Sequence, residues 1–158
     1  MIGYATVEQS NEYVTSHFVS TDPLRTSWEA LSDDDKQVIL TTSAEAINSL
    51  PYPGRKYDPE QENAFPRYPS QQVPTAIFAA QIENAISVSD SSSSEDAELY
   101  QRMWSFGIAS YRIGNLSESI GSASGGATLG AQMLQNGIVS TKAQALLKPF
   151  LGGAYCIE

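Results

Sequence analysis

The sequence predicts a mainly α-helical protein, a small helical bundle that ends in a C-terminal β-hairpin and an extended arm. Apolar side chains recur at helical spacing in successive segments between residues 7 and 88, and the longer segments begin at good capping residues. After residue 104 the spacing changes to alternation around the pair Gly114-Asn115, which is typical of a hairpin. A chain of 158 residues with 41% hydrophobic residues can bury one core.

The first helix is predicted over residues 7–18. Thr6 and Gln9 form a capping box, in which each side chain binds the backbone N–H of the other residue. Pro23 interrupts this helical pattern, because the residue before a proline avoids the helical region.

A short helical turn over 27–31 is expected to bury Trp28, and a long helix follows from Ser32 to about Leu50. Three acids in its first turn suit the helix dipole, and Pro51 stops it. We expect this to be the core helix. Its predicted inward positions are Val38, Ile39, Thr42, Ala46, Ile47 and Leu50.

The proline-rich segment that follows is the most individual part of the chain. A short helix is predicted over 59–64, with Asp58 as its N-cap and Pro59 at its first position. The Gln61 side chain can bind back to the cap residue, and Pro66 ends the helix. The residues expected to build this loop are Gly54, Arg55, Asp58, Gln61, Phe65, Pro66 and Arg67. We favour arginine bonds to carboxylates and carbonyls as the means of pinning it.

Val73 and Pro74 begin another helix, predicted to extend to about Val88. Its apolar positions are Ile77, Phe78, Ala80, Ala85 and Ile86. The serine-rich residues 89–94 are too polar to pack and are predicted to be a loop.

Two regions are predicted, a helical core domain over 1–104 and a second part over 105–158. The core is expected to include a short helix at about 95–104. The second part holds the hairpin, a glycine-rich arm over 121–139 and a short helix over 140–148.

The hairpin is predicted over residues 108–120. Because an isolated two-stranded hairpin is marginal in water, we expect it to pack on a neighbour. The candidate partner-interface residues are Tyr111, Arg112, Ile113, Leu116, Ile120, Phe150, Leu151 and Tyr155.

Composition argues against several functions. Eighteen acids against nine bases give a net charge of −9, which disfavours a surface built to neutralise phosphates. One histidine, His17, and one cysteine, Cys156, leave no evident catalytic constellation and no metal or cofactor site, so an enzyme is not predicted. No apolar run reaches membrane-spanning length and no signal peptide is visible, so a chain made in the cytoplasm is expected.

Three segments carry a family resemblance. Residues 4–13, residues 54–67 with their Gly-Arg, Asp-Pro-x-Gln and aromatic-Pro-Arg elements, and residues 146–151 resemble tailed-phage proteins labelled DnaT-like. These proteins are identified here as members of the head–tail connector, or adaptor, group. Phe65 replaces the more frequent tryptophan of that pattern.

The resemblance implies a structural virion protein of the phage neck, at the head–tail interface. It implies a homo-oligomeric ring of roughly twelve copies under the portal protein. The other implied partner is a tail completion, terminator or tail tube protein, with double-stranded DNA passing through the ring without specific binding. The acidic charge agrees with such a channel wall.

The DnaT-like label leads to an alternative, a single-stranded DNA-binding replication protein. Bases and aromatic residues of the kind that bind single strands by stacking lie close together in the proline-rich loop. They are Arg55, Lys56, Tyr57, Phe65, Arg67 and Tyr68. Asp58, Glu60 and Glu62 offset their charge.

Overall fold

A computed structural model describes residues 3–90, 110–113, 116–119 and 129–152 of the chain. In these ranges the protein is mainly helical, as predicted. The helices are α1 (Val7–His17), α2 (Pro23–Glu29), α3 (Asp33–Asn48), α4 (Thr75–Ser89), α5 (Leu129–Gln135) and α6 (Thr141–Leu151). None of the helices in the described ranges has both the length and the apolar character needed to cross a membrane.

Side-chain caps start α1 and α3 where the sequence predicts them. The Thr6 hydroxyl accepts the Gln9 N–H at 3.3 Å, and the Gln9 side-chain oxygen accepts the Thr6 N–H at 3.0 Å, which completes the capping box. The Ser32 hydroxyl accepts the Asp35 N–H at 3.1 Å. These contacts satisfy N–H groups that a helix start leaves without partners.

Helix α2 begins earlier than the predicted turn at 27–31. Pro23 occupies the first turn and Asp22 caps it, accepting the Leu24 N–H at 2.9 Å. The proline therefore starts this helix, whereas α1 has already ended at His17. Trp28 is buried as expected, and its indole N–H donates to the Asn11 side-chain oxygen at 2.9 Å.

The central helix is α4, which corrects the prediction that α3 fills this role. Every residue from 80 to 86 is buried, because other parts of the chain cover α4 on all sides. Helix α3 covers one side, with an inward face that differs from the predicted one. Val38 is 64% exposed and Thr42 is exposed, whereas Ser43 and Ala44 are buried. Of the other predicted inward positions, Ile47 and Leu50 are buried and Ile39 and Ala46 are half-buried. The inward face of α3 is set by the position of α4, against which it packs.

Two hydrophobic clusters flank α4. One joins α1, α2 and α3 to it through Ala5, Val7, Val14, Trp28, Leu40, Ile82, Ala85 and Ile86. The other includes the α3–α4 loop and the C-terminal helices through Ile47, Leu50, Ala64, Phe65, Ile77, Ala80, Met133, Ile138, Ala143 and Leu147. Residues 129–151 thus share a hydrophobic core with residues before 104. The boundary between the two predicted regions, 1–104 and 105–158, stays a prediction.

The predicted C-terminal β-hairpin is not supported as a component of the fold. Two strands of four residues, β1 (Ser110–Ile113) and β2 (Leu116–Ser119), pair antiparallel with each other, but the described core is helical. A two-stranded pair of this size is marginal without further packing. The expected helix at 95–104, Ile120, Tyr155 and Cys156 lie outside the described residues.

The C-terminal helices differ from the prediction in two ways. Part of the supposed glycine-rich arm forms α5, which ends in a Schellman motif with Gly137 at φ +85°. Helix α6 starts at the Ser140 cap as expected but continues through Pro149 to Leu151. A proline near the end of a helix removes one hydrogen bond without stopping the last turn.

Candidate functional site

The loop between α3 and α4, residues 50–74, closes on itself. The Tyr57 N–H donates to the Pro66 carbonyl at 3.0 Å, and the Tyr68 N–H donates to the Arg55 carbonyl at 3.1 Å. These bonds form an antiparallel bridge at Lys56 and Arg67. The bridge brings the two ends of the 55–68 segment together, so side chains distant in sequence share one surface.

A turn replaces the helix predicted over 59–64. The Asp58 carboxylate accepts the Glu60 N–H at 2.9 Å, and the Gln61 side-chain oxygen accepts the Asp58 N–H at 3.1 Å. The Gln61 amide then donates to the carbonyls of Asn63 and Pro66, both at 2.9 Å. The prediction was wrong because these side-chain bonds hold the backbone in a turn, while so short a helix gains little from its own hydrogen bonds.

The Arg67 side chain donates hydrogen bonds to four backbone carbonyls. Its guanidinium donates to Pro53 at 3.1 Å, Ala64 at 3.2 Å, Tyr52 at 3.1 Å and Gly54 at 2.6 Å. The planar fork of an arginine can serve several acceptors at once. Arg67 therefore joins the two sides of the loop and has few donors left for a ligand.

Phe65 anchors the loop in the core. It is buried and meets three aromatic rings edge-on, with centroid distances of 4.8 Å to Tyr52, 5.5 Å to Phe150 and 6.4 Å to Tyr4. Edge-to-face contacts of this kind are favourable in addition to the burial of area. The loop is consequently fixed to both the N-terminal segment and α6.

Polar contacts also connect the loop to the start of the chain. The Asn63 side chain binds both backbone groups of Gly3, and the Asn48 side-chain oxygen accepts the Ala64 N–H at 2.8 Å and the Tyr4 hydroxyl. Burial raises the pKa of the Tyr4 hydroxyl to about 12, so it remains a donor at neutral pH.

Three exposed side chains form an aromatic platform on the outer side of the loop: Arg55, Tyr57 and Tyr68. The Arg55 guanidinium lies 4.3 Å from the centroid of the Tyr68 ring, a cation–π stack in which Tyr68 is still 58% exposed. Tyr57 is 42% exposed, and its hydroxyl accepts the Gln71 amide at 2.5 Å. The platform thus presents flat rings and one cation to solvent.

A groove of about 480 Å³ lies next to the platform. Its lining residues are Pro53, Gly54, Phe65, Arg67, Tyr68, Pro69, Ser70, Gln72, Pro74 and Phe150. Tyr68 lines the groove, whereas Arg55, which stacks on the same ring, does not. Ser70 and Gln72 were not among the predicted site residues, and their place beside Pro69 in the proline-rich loop was the available signal.

Most basic side chains of the loop form hydrogen bonds within the loop itself. Of its three basic residues, Lys56 donates to the Gln61 carbonyl at 3.0 Å, Arg67 holds four carbonyls, and Arg55 is exposed on the platform. Within the described ranges, no group of three or more His, Cys, Asp or Glu side chains is placed to hold a metal ion.

The predicted interface residues do not gather at this site as a set. Phe150 packs on Phe65, and Leu151 is half-buried against the same cluster. Tyr111, Arg112, Ile113 and Leu116 belong to the strands, whose side chains are outside the description, as are Ile120 and Tyr155. Their role as partner contacts stays a prediction.

The Tyr52 hydroxyl is the one buried side-chain polar atom without a hydrogen-bond partner among the described residues. Burial raises its pKa above the ordinary tyrosine value. Because Phe keeps the ring contacts and removes the unsatisfied group, we expect Tyr52→Phe to increase the free energy of unfolding by about 1 kcal/mol. Urea denaturation checks this, and a loss of stability would show that the hydroxyl has a partner.

A family model described as "Putative DnaT-like ssDNA binding protein" matches residues 3–158. No curated protein and no solved structure matches the chain.

This match corrects the identification as a head–tail connector. The matched family is one of DnaT-like proteins and not a phage connector family, so the structural virion function is wrong. The partners that followed from it, a portal protein, a tail protein and a ring of copies that passes double-stranded DNA without binding it, are withdrawn with it. Both interpretations used the same 54–67 segment, and the error was to attach that pattern to the connector group. The virion location stays a prediction.

Proposed function

Since the chain belongs to the DnaT-like family of single-stranded DNA-binding proteins, we propose that it binds single-stranded DNA through the aromatic platform of the 50–74 loop. The exposed stack of Arg55 on Tyr68 is the observation that carries this proposal. Bases of a single strand stack on exposed aromatic rings, and an arginine beside the ring adds a phosphate contact and a second flat surface.

The rigidity of the loop supports this role. The bonds of Arg67 and the burial of Phe65 fix the backbone beneath the platform before any ligand arrives. A preformed surface loses less conformational entropy on binding than one that must order itself. The platform can therefore bind although it is small.

The charge distribution favours a single strand over a duplex as the ligand. Residues 1–50 carry eight acids and two bases, whereas the loop carries three of each. Duplex binding without sequence specificity depends mainly on phosphate neutralisation, which an acidic chain provides poorly. A single strand also offers the faces of its bases, which a duplex keeps stacked.

We propose a binding protein without a catalytic step. Stacked rings and a guanidinium bind bases and phosphates, and neither group activates a nucleophile at neutral pH. The expectation from the sequence that the chain is not an enzyme is kept as part of this proposal.

Replacing the exposed ring should weaken binding. We expect Tyr68→Ala to reduce the affinity for an oligothymidylate by about tenfold, which corresponds to the loss of one stacked base of about 1.4 kcal/mol. Tyr68→Phe keeps the ring and is the matched control, with affinity close to that of the unchanged protein. Fluorescence anisotropy at low salt measures both.

Thermal melting must accompany these titrations, because only a folded Tyr68→Ala protein is informative. Equal affinity of Tyr68→Ala and the unchanged protein for the oligothymidylate would show that the platform is not the binding surface. Absence of any binding to single strands by the unchanged protein at low salt would reject the proposed function itself.

A further inference from the structure

We infer that the groove beside the platform takes one unstacked nucleobase, and that contacts to bases supply more of the affinity than contacts to phosphates. This inference rests on the proposed function and adds a defined subsite to it. Its occupant is a base of the bound single strand.

The lining of the groove suits a flat heteroaromatic ring. Its lining residues include Phe65 and Phe150, whose rings meet edge-on with centroids 5.5 Å apart, and three prolines. Sites for small planar ligands combine such apolar walls with a few polar groups that fix orientation. The volume of about 480 Å³ lies within the usual range of ligand pockets.

Polar groups for a base edge come from Ser70 and Gln72. The Ser70 hydroxyl donates to the Gln72 carbonyl and accepts the Gln72 N–H, both at 3.1 Å, so the two residues form one small turn. Gln72 is exposed, and its side-chain amide carries both a donor and an acceptor. An amide of this kind can pair with the edge of a base.

Tyr68 makes the groove continuous with the platform. Its ring lines the groove and also carries Arg55, which lies outside the groove. A strand whose base enters the groove would therefore place an adjacent phosphate near the Arg55 guanidinium. The base contact in the groove and the phosphate contact at Arg55 would then lie on either side of the Tyr68 ring.

The salt dependence follows from the charges. Arg55 is the only exposed basic residue of the fully described 50–74 loop, since Lys56 and Arg67 bind carbonyls of the loop. For single strands the logarithm of the association constant falls with the logarithm of salt concentration by about 0.7 per phosphate neutralised. We expect a slope of about −0.7 for this protein, far shallower than for a binder with a basic groove.

The test compares an oligothymidylate of about 12 nucleotides with an abasic oligonucleotide of the same length and charge. The full chain should bind the abasic strand at least tenfold more weakly, and the slope for the oligothymidylate should be shallow. Gln72→Ala should weaken binding of the oligothymidylate about threefold. Gln37→Ala, which changes an exposed glutamine of α3 that belongs to neither the groove nor the platform, should not.

The outcomes separate the two proposals. Unchanged affinity of Gln72→Ala for the oligothymidylate, or a slope steeper than about −3, would overturn the groove and leave the proposed function standing. Equal binding of both strands would overturn the groove together with stacking on the platform. Absence of binding to either strand would overturn the proposed function. Shifts of the Gln72 side-chain amide signals when thymidine is added would support the groove independently of phosphate contacts, and shifts confined to other residues would contradict it.

Discussion

Arg67→Ala should lower the free energy of unfolding by about 3 kcal/mol, whereas Arg55→Ala should change it by less than about 0.5 kcal/mol. The two arginines lie in one loop and both entered the stacking interpretation of the sequence. Arg67 donates to four backbone carbonyls, while Arg55 is exposed and stacks on Tyr68. Loss of Arg67 removes charged hydrogen bonds on both sides of the loop, and it leaves the part-buried contacts to the Tyr52 and Ala64 carbonyls without that donor.

Arg67→Lys should recover only part of the lost stability. An ammonium is a point donor, and it cannot match the spread of the Tyr52, Pro53, Gly54 and Ala64 carbonyls that the guanidinium serves. Urea denaturation of the three variants measures the differences. Similar stabilities for Arg67→Ala and the unchanged protein would show that the loop is held by other contacts, Phe65 foremost among them.

DNA binding should separate the arginines in the opposite way. Arg55→Ala should keep its fold and lose affinity for single strands, because it loses the exposed cation of the platform. Arg67→Ala should be measured at a temperature where it is still folded. Its affinity for single strands should then fall only slightly, because Arg67 supports the platform without contacting the DNA. An Arg67→Ala protein that melts normally but no longer binds would instead assign Arg67 a direct phosphate contact.

Local signals in the sequence were sufficient for the starts of α1 and α3, whereas α2 begins four residues before its predicted turn. Thr6 with Gln9 and Ser32 with Asp35 act through partners three residues away, so reading the sequence around each cap is enough. The same reasoning missed α5, because the composition of 121–139 predicts a glycine-rich arm. The pair Asn136-Gly137 was the usable signal, since glycine at this position ends a helix in a left-handed conformation.

Non-local contacts explain the parts that the sequence did not predict. The inward face of α3 depends on where α4 lies, and α4 is buried on all sides only because segments distant in sequence cover it. The loop depends on Arg67 reaching carbonyls 13 to 15 residues earlier. The sequence placed the right residues in this loop but could not show that one arginine is engaged and the other exposed.

Asn84→Ala should destabilise the protein by about 3 kcal/mol, through the connection between α5 and α6. Asn84 is buried in α4, and its side-chain oxygen accepts the N–H groups of Val139 at 2.9 Å and Ser140 at 3.3 Å. Its amide donates to the Gly137 carbonyl at 3.1 Å and to the Ser43 hydroxyl at 3.3 Å. Alanine would leave these groups without a partner in a buried or half-buried place, at a cost of about 1–3 kcal/mol for each that stays unsatisfied.

The loss of stability in Asn84→Ala should extend into α6. Asn84 positions the backbone of Ser140, and the Ser140 hydroxyl caps α6 by accepting the Ala143 N–H at 3.2 Å. Hydrogen exchange of Asn84→Ala should therefore show faster exchange in α6 than in α1, which starts from its own cap at Thr6. Gln37→Ala, a polar-to-alanine change on the exposed side of α3, is the control and should alter stability by less than about 0.5 kcal/mol. Because α4 contacts both hydrophobic clusters, uniform exchange throughout the Asn84→Ala protein would mean that the C-terminal helices unfold only together with the rest.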